Sequence, residues 1–147
     1  MRIALGSDHA GLTLRQSLGK VVLGLGHETH DLGTHGQDAA NYVDFAQSVA
    51  LEVQRGNCQF GILVCGTGLG MSIAANKFQS IRAALCCHEF SAQMARAHND
   101  ANILCLGERL VGAGLAESIV KTFLSTPFAG GRHQARLDQL ASITEVT

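Results

Sequence analysis

Short strand-like runs alternate along the whole chain with stretches of helical periodicity, and that alternation restricts the fold more than any other feature. The runs lie at 3–7, 28–32, 60–64, 81–86 and 103–106. Most are too continuously apolar for a sheet with one face in water; Phe60-Gly61-Ile62-Leu63-Val64 has no polar side at all. Between them, Leu14, Leu18, Val21, Val22 and Leu25 recur at helical spacing. So do Val43, Ala46, Val49, Ala50 and Val53, and again Leu115, Ile119, Val120 and Phe123. Gly24, Gly26 and Gly56 stand where such helices would stop. A helix between two strands returns the chain to the same end of the sheet, so the strands pair in parallel. The pattern predicts an α/β fold in one domain spanning 1–147: a doubly wound parallel sheet of five strands with helices on both faces. Thr126-Pro127-Phe128-Ala129-Gly130-Gly131 sets off a last helix, expected over 132–144, which is placed to leave the body and reach a partner subunit.

The same residues exclude several classes of function. Eleven Lys and Arg against twelve Asp and Glu leave a formal charge of -1, so no basic field addresses nucleic acid or a membrane. Trp is absent and aromatics make up 5%, a poor supply for stacking on bases. Seventeen glycines beside one proline suit turns that bring backbone close to a ligand. Cys58, Cys65, Cys86, Cys87 and Cys105 are odd in number and lack C-x-x-C spacing, unlike a disulfide framework. No His/Cys pair has the spacing of a structural zinc module, and no metal is expected. Met1 to Gly6 reads directly as a strand without a secretory core. No apolar run approaches the roughly 18–20 residues of a membrane span. The expectation is a reduced, cytoplasmic protein.

In a parallel sheet, ligands bind beyond the carboxyl ends of the strands, at the point where strand order reverses. Gly66-Thr67-Gly68-Leu69-Gly70 follows the most apolar run and opens a helix. Glycines there free backbone N–H groups to converge on an oxyanion or phosphate at the positive end of the helix dipole. The dinucleotide pattern would need Gly where Met71 stands, and the phosphate-loop pattern a lysine that this loop lacks. Cys65 stands immediately before the loop, where a helix N-terminus favours the thiolate as nucleophile or base. The other four cysteines read as small buried hydrophobes.

Asp8-His9 follows the first run, and His98-Asn99-Asp100 ends the fourth helix; both are expected on the ligand-binding edge. A histidine there can move a proton to or from a ligand oxygen, and a nearby carboxylate can orient it. His27, His30, His35 and His88 have no such support. Arg132 and Arg136 share one helix face, either as a solvated surface or as a fork-shaped anion clamp. Arg109 leaves the fifth run on the ligand side.

Taken together, Gly6-Ser7-Asp8-His9-Ala10-Gly11, Cys65-Gly66-Thr67-Gly68-Leu69-Gly70, Ser72-Ile73-Ala74-Ala75-Asn76-Lys77, His98-Asn99-Asp100 and Gly130-Gly131-Arg132-His133 resemble the ribose-5-phosphate isomerase B family. That family also holds allose- and galactose-6-phosphate isomerases. The likeness runs in order from Ile3 to Arg136. It implies a Rossmann-like homodimer or tetramer whose active site is shared between subunits. It also implies aldose–ketose isomerisation without cofactor or metal, here between D-ribose 5-phosphate and D-ribulose 5-phosphate through an enediolate.

Carried over to matching positions, the resemblance makes Cys65 the base that moves a proton between C2 and C1. The amides of Gly66, Thr67, Gly68, Leu69 and Gly70 would hold the enediolate, and Thr67 would assist transfer at oxygen. His98 would open the sugar ring, while Asp8 and Asn99 hold hydroxyls. His9, Arg109, Arg132 and Arg136 match phosphate positions, the last two serving a partner's site. Tyr42 would line the sugar pocket. Members commonly carry Asp-Tyr-Pro where this chain has Asn41-Tyr42-Val43, which leaves allose 6-phosphate or a tetrulose phosphate as alternative substrates. Two other classes compete. A cysteine hydrolase using Cys65 with His98 or His9 would form a covalent intermediate; a phosphate or nucleotide sensor would bind without turnover.

Overall fold

A computed structural model describes residues 1–36 and 38–143. The elements run β1 (Arg2–Ser7), a 3-10 turn (His9–Gly11), α1 (Leu12–Gly24), β2 (Glu28–Asp31), α2 (Tyr42–Gln54) and β3 (Phe60–Cys65). They continue with α3 (Leu69–Ala75), β4 (Ala83–Leu85), α4 (Glu89–Asn99), β5 (Ile103–Gly107), α5 (Ala113–Ser125) and α6 (Arg132–Ala141). Every strand pair is parallel, in the order β2-β1-β3-β5-β4. The chain steps from β1 outward to β2 and then returns across β1 to β3, which puts the reversal of strand order between β1 and β3.

The three central strands are buried nearly throughout, and the two edge strands are not. Each face of the sheet carries its own apolar layer. Leu14, Leu18, Val22, Ala92, Ile119, Val120 and Phe123 from α1, α4 and α5 pack on Ile3, Leu5, Ile62 and Leu104. Ala46, Val49, Ala50, Met71 and Ala75 from α2 and α3 pack on Ala4, Leu63 and Ile103. Alternate residues of one strand therefore serve opposite layers, the physical reason these strands show no polar face.

Two elements differ from expectation by more than one residue at an end. The fourth strand, expected over 81–86, is confined to Ala83–Leu85; buried Cys86 adds one N–H bond to the Cys105 carbonyl at 3.1 Å, and buried Ile81 stands outside the ladder. The apolar character of Ile81 marks packing, not pairing. The last helix, expected over 132–144, ends at Ala141, and Thr144 lies outside the described residues. In α6 the residue His133 alone is buried, and Ala129 N–H ties the preceding segment to the Ala97 carbonyl at 2.9 Å.

Candidate active site

The carboxyl ends of β1 and β3 open into a cavity of about 290 Å³. Asp8, His9 and Ala10 line it from the turn after β1, and Cys65, Gly66, Thr67 and Gly70 from the end of β3 and its loop. Tyr42 from the start of α2 and Arg109 from beyond β5 complete the wall. Six of the side chains singled out by sequence, those of Asp8, His9, Tyr42, Cys65, Thr67 and Arg109, thus meet in one concavity.

Cys65 is the last residue of β3 and 6% exposed. The Gly68 N–H donates to its Sγ at 3.1 Å. That amide can aim back at the sulfur because Gly68 takes φ +77, a left-handed conformation that L side chains resist. A Cβ at Gly68 would in addition meet Leu85 Cδ1 at 2.5 Å. The loop thus brings a donor to the one atom that must carry negative charge to act as a base. Gly70, two residues on, leaves room for the Tyr42 ring, whose Cε2 would stand 2.7 Å from a Cβ there. Gly68 and Leu69 do not line the cavity. Leu69 is 53% exposed, and its N–H contacts Thr67 Oγ1 at 3.4 Å.

The neighbouring groups are pinned from behind. Asp8 Oδ1 accepts from the amides of Ala10 and Gly11 at 3.0 and 3.2 Å, which closes the turn that carries His9. His9 Nδ1 accepts from Ala40 N–H at 3.2 Å, so its Nε2 is the nitrogen left for a ligand. Glu108 N–H and Arg109 N–H donate to the carbonyls of Cys65 and Gly66 at 2.9 and 3.0 Å, locking the two loops together. Asn41, in place of the carboxylate common in the resembling family, caps α2: its Oδ1 accepts from Val43 N–H at 3.1 Å. The substitution keeps the helix start that presents Tyr42.

His98 and Asn99 are elsewhere, a correction to their expected place on this edge. α4 runs antiparallel to the strands, so its last turn lies at the amino edge of the sheet. The register pairs Gly61 with Ile103 and Cys65 with Gly107. About 13 Å of strand separates those two levels. Asp100 does not orient His98 either: Oδ1 accepts from Arg96 Nη1 at 2.8 Å and Oδ2 from Arg82 Nη2 at 2.9 Å. What His98 does touch is His133, a residue to which the sequence attached no role; the two imidazoles stack with centroids 4.1 Å apart. Arg132 and Arg136 flank His133 on α6 and are exposed. One chain therefore carries two clusters at opposite edges, the Cys65 cavity and the group of His98, His133, Arg132 and Arg136.

Among the described residues, no helix is long and apolar enough to cross a membrane.

Known proteins match this arrangement over nearly the whole chain. A protein-family model described as Ribose/Galactose Isomerase matches residues 3–140. The ribose-5-phosphate isomerase B of Escherichia coli (strain K12) is 44% identical over 144 residues, 98% of this chain and 97% of that protein. A ribose-5-P isomerase B of Listeria innocua is 41% identical, covering 99% and 98%. Among solved structures, ribose-5-phosphate isomerase B of Clostridium thermocellum superposes with a TM-score of 0.95 at 50% identity, covering 96% of this chain and 95% of that one. The corresponding enzyme of Thermotoga maritima gives 0.94 at 49% identity, covering 97% and 98%. With a family model matched over residues 3–140, relatives 44% and 41% identical and a solved structure superposing at a TM-score of 0.95, this chain belongs to the ribose/galactose isomerase family.

Proposed function

We propose that the protein interconverts D-ribose 5-phosphate and D-ribulose 5-phosphate, with Cys65 as the base. The observation that carries this reading is the Cys65 sulfur at the cavity wall, hydrogen-bonded by the Gly68 amide and flanked by His9 and Arg109. Cys65 as thiolate takes the proton from C2 of the open-chain aldose and returns it to C1. The electron pair left by the C2–H bond forms the C1–C2 double bond, and the aldehyde oxygen becomes the enediolate anion. Gly66, Thr67 and Gly70, the loop residues that line the cavity, supply the amides for that oxygen, where electrostatic stabilisation matters most; one such donor is typically worth about 3–4 kcal/mol of barrier. Thr67 Oγ1 carries the proton between O1 and O2. No net electrons are gained or lost, so the reaction asks for a base, an anion hole and a phosphate clamp, all available from side chains and backbone.

His9 and Arg109 supply part of the phosphate clamp. The ring-opening acid/base His98, the hydroxyl ligand Asn99 and the cations Arg132 and Arg136 reach the site from a second subunit, so the working unit is a homodimer or a dimer of dimers. Their place at the opposite edge from Cys65, clustered through the His98–His133 stack, supports this sharing. Asp8 and Tyr42 hold the sugar. Five unpaired cysteines fit a reducing cytoplasm.

Metal-stripped protein in excess EDTA, given D-ribose 5-phosphate, is expected to form the ketose, and Cys65→Ala to lose that turnover. Full activity in the variant would refute Cys65 as base. Asn41-Tyr42-Val43 favours comparing kcat/KM for allose 6-phosphate and tetrulose phosphates in the same assay, because specificity is differential transition-state binding.

A further inference from the structure

At the amino edge of the sheet, three donors of different chemistry converge. His30 lies on β2 opposite Ala4 of β1, Glu52 on the last full turn of α2, and Cys58 in the turn that leads into β3. One ligand atom of each lies within 4.8 Å of the other two. His30 Nδ1 stands 3.3 Å from Glu52 Oε2, yet it is shielded from solvent and makes no hydrogen bond. Two ligands of one tetrahedral zinc, each about 2.0–2.1 Å from the metal, are themselves about 3.3 Å apart. The pair therefore has the spacing of two ligands of an ion without the alignment of a shared proton.

The surroundings orient this set. The amides of Asn57 and Cys58 both donate to the Glu52 carbonyl, at 3.0 and 3.2 Å, folding Cys58 back over the end of α2. Asn57 Nδ2 donates to Glu52 Oε1 at 3.2 Å, which leaves Oε2 for His30. A hydrogen bond that fixes a carboxylate in this way is the usual outer support of a metal ligand. Burial pushes the Cys58 thiol up, Arg2 pulls it back, and Glu52 adds to the rise. A divalent cation would take the thiolate and screen Glu52, releasing the thiol proton to solvent.

We propose that His30, Glu52 and Cys58 form a binding site for Zn²⁺, with water in the fourth position, that staples β2 and α2 to the start of β3. A mixed nitrogen, sulfur and oxygen set suits zinc and not Mg²⁺ or Ca²⁺, which favour oxygen alone. Cys58 precedes β3 and Cys65 ends it, so the staple and the isomerase cavity stand at opposite ends of one strand.

Metal-stripped full-length protein is titrated with ZnCl₂ against a chromophoric chelator, and with CoCl₂ in parallel. One tight equivalent is expected, with a sulfur-to-cobalt charge-transfer band and a rise in melting temperature. Cys58→Ser should abolish the band, while His30→Gln and Glu52→Gln should each weaken zinc by roughly 100-fold. Cys87→Ser should change neither. Circular dichroism separates loss of the site from loss of fold. Should Cys58→Ser not fold, His30→Gln decides, because that side chain is 31% exposed on an edge strand. Absence of a tight equivalent, or its survival in Cys58→Ser or His30→Gln, overturns the assignment.

Discussion

The imidazole of His98 lies against that of His133, ring centroids 4.1 Å apart and planes 10° from parallel. The stack joins the last turn of α4 to the first turn of α6. It thereby gathers His98, Arg132 and Arg136 at the amino edge of the sheet, away from the chain's own cavity.

Acid sensitivity follows from that stack. Burial, then His98, then Arg132 and Arg136 hold His133 below the ordinary histidine value of 6.5. As pH falls through about 6.5, the unfolded chain binds a proton that the folded chain refuses, so stability is present above that pH and is lost below it. Melting temperature should fall on acidification, and His133→Gln should flatten that fall. An unchanged slope in the variant would assign the effect to another group.

Sharing of the site between subunits can be read by mixing. Cys65→Ala and His98→Ala homodimers should each be inactive, and their co-refolded mixture should regain part of the activity. A hybrid dimer keeps one site with both partners intact. No recovery, with hybrids shown to form, would place both residues in sites of single chains.

For Cys65→Ala alone, kcat should drop by at least about 10²–10⁴-fold, the usual worth of a positioned base. Calorimetric binding of a non-reacting sugar phosphate should change little, since the phosphate clamp is untouched.

At Gly70 two effects oppose each other. Alanine inside α3 favours the helix by about 1 kcal/mol, while its Cβ would press the Tyr42 ring, at 2.7 Å in the present geometry. Tyr42 is 40% exposed and can swing away, so Gly70→Ala should leave thermal stability equal or higher. KM should rise as the pocket wall moves; an unchanged KM would remove Tyr42 from the sugar site.

Arg15 is 1% exposed, paired with Asp31, and donates from Nη2 to the Thr34 carbonyl at 2.6 Å. Burial lowers its pKa and Asp31 partly restores it. Asp31→Ala would leave a buried cation short of its partner. Breaking fully buried pairs costs about 3–5 kcal/mol. With Asp31 41% exposed, solvent recovers part of that, and about 2 kcal/mol is expected in urea denaturation.

The central strands, the helices and the Cys65 loop were legible in the residue order because each obeys a local rule. Period-two burial on both faces leaves Phe60–Cys65 almost wholly apolar, and a turn that needs left-handed backbone demands Gly68. The matching blocks likewise contain Asp8 and His9, the exit from the fifth run holds Arg109, and the family resemblance points to Tyr42. Residue order left β4 overlong, because Ile81 is apolar for packing alone. It also placed His98 on the carboxyl edge, although a helix that returns the chain to the start of the next strand must end at the amino edge. The His98–His133 stack and the meeting of His30, Glu52 and Cys58 belong to the tertiary structure. His98 and His133 lie 35 residues apart and His30 and Glu52 22, and only the crossovers of a parallel sheet bring such distant side chains to one end of the molecule.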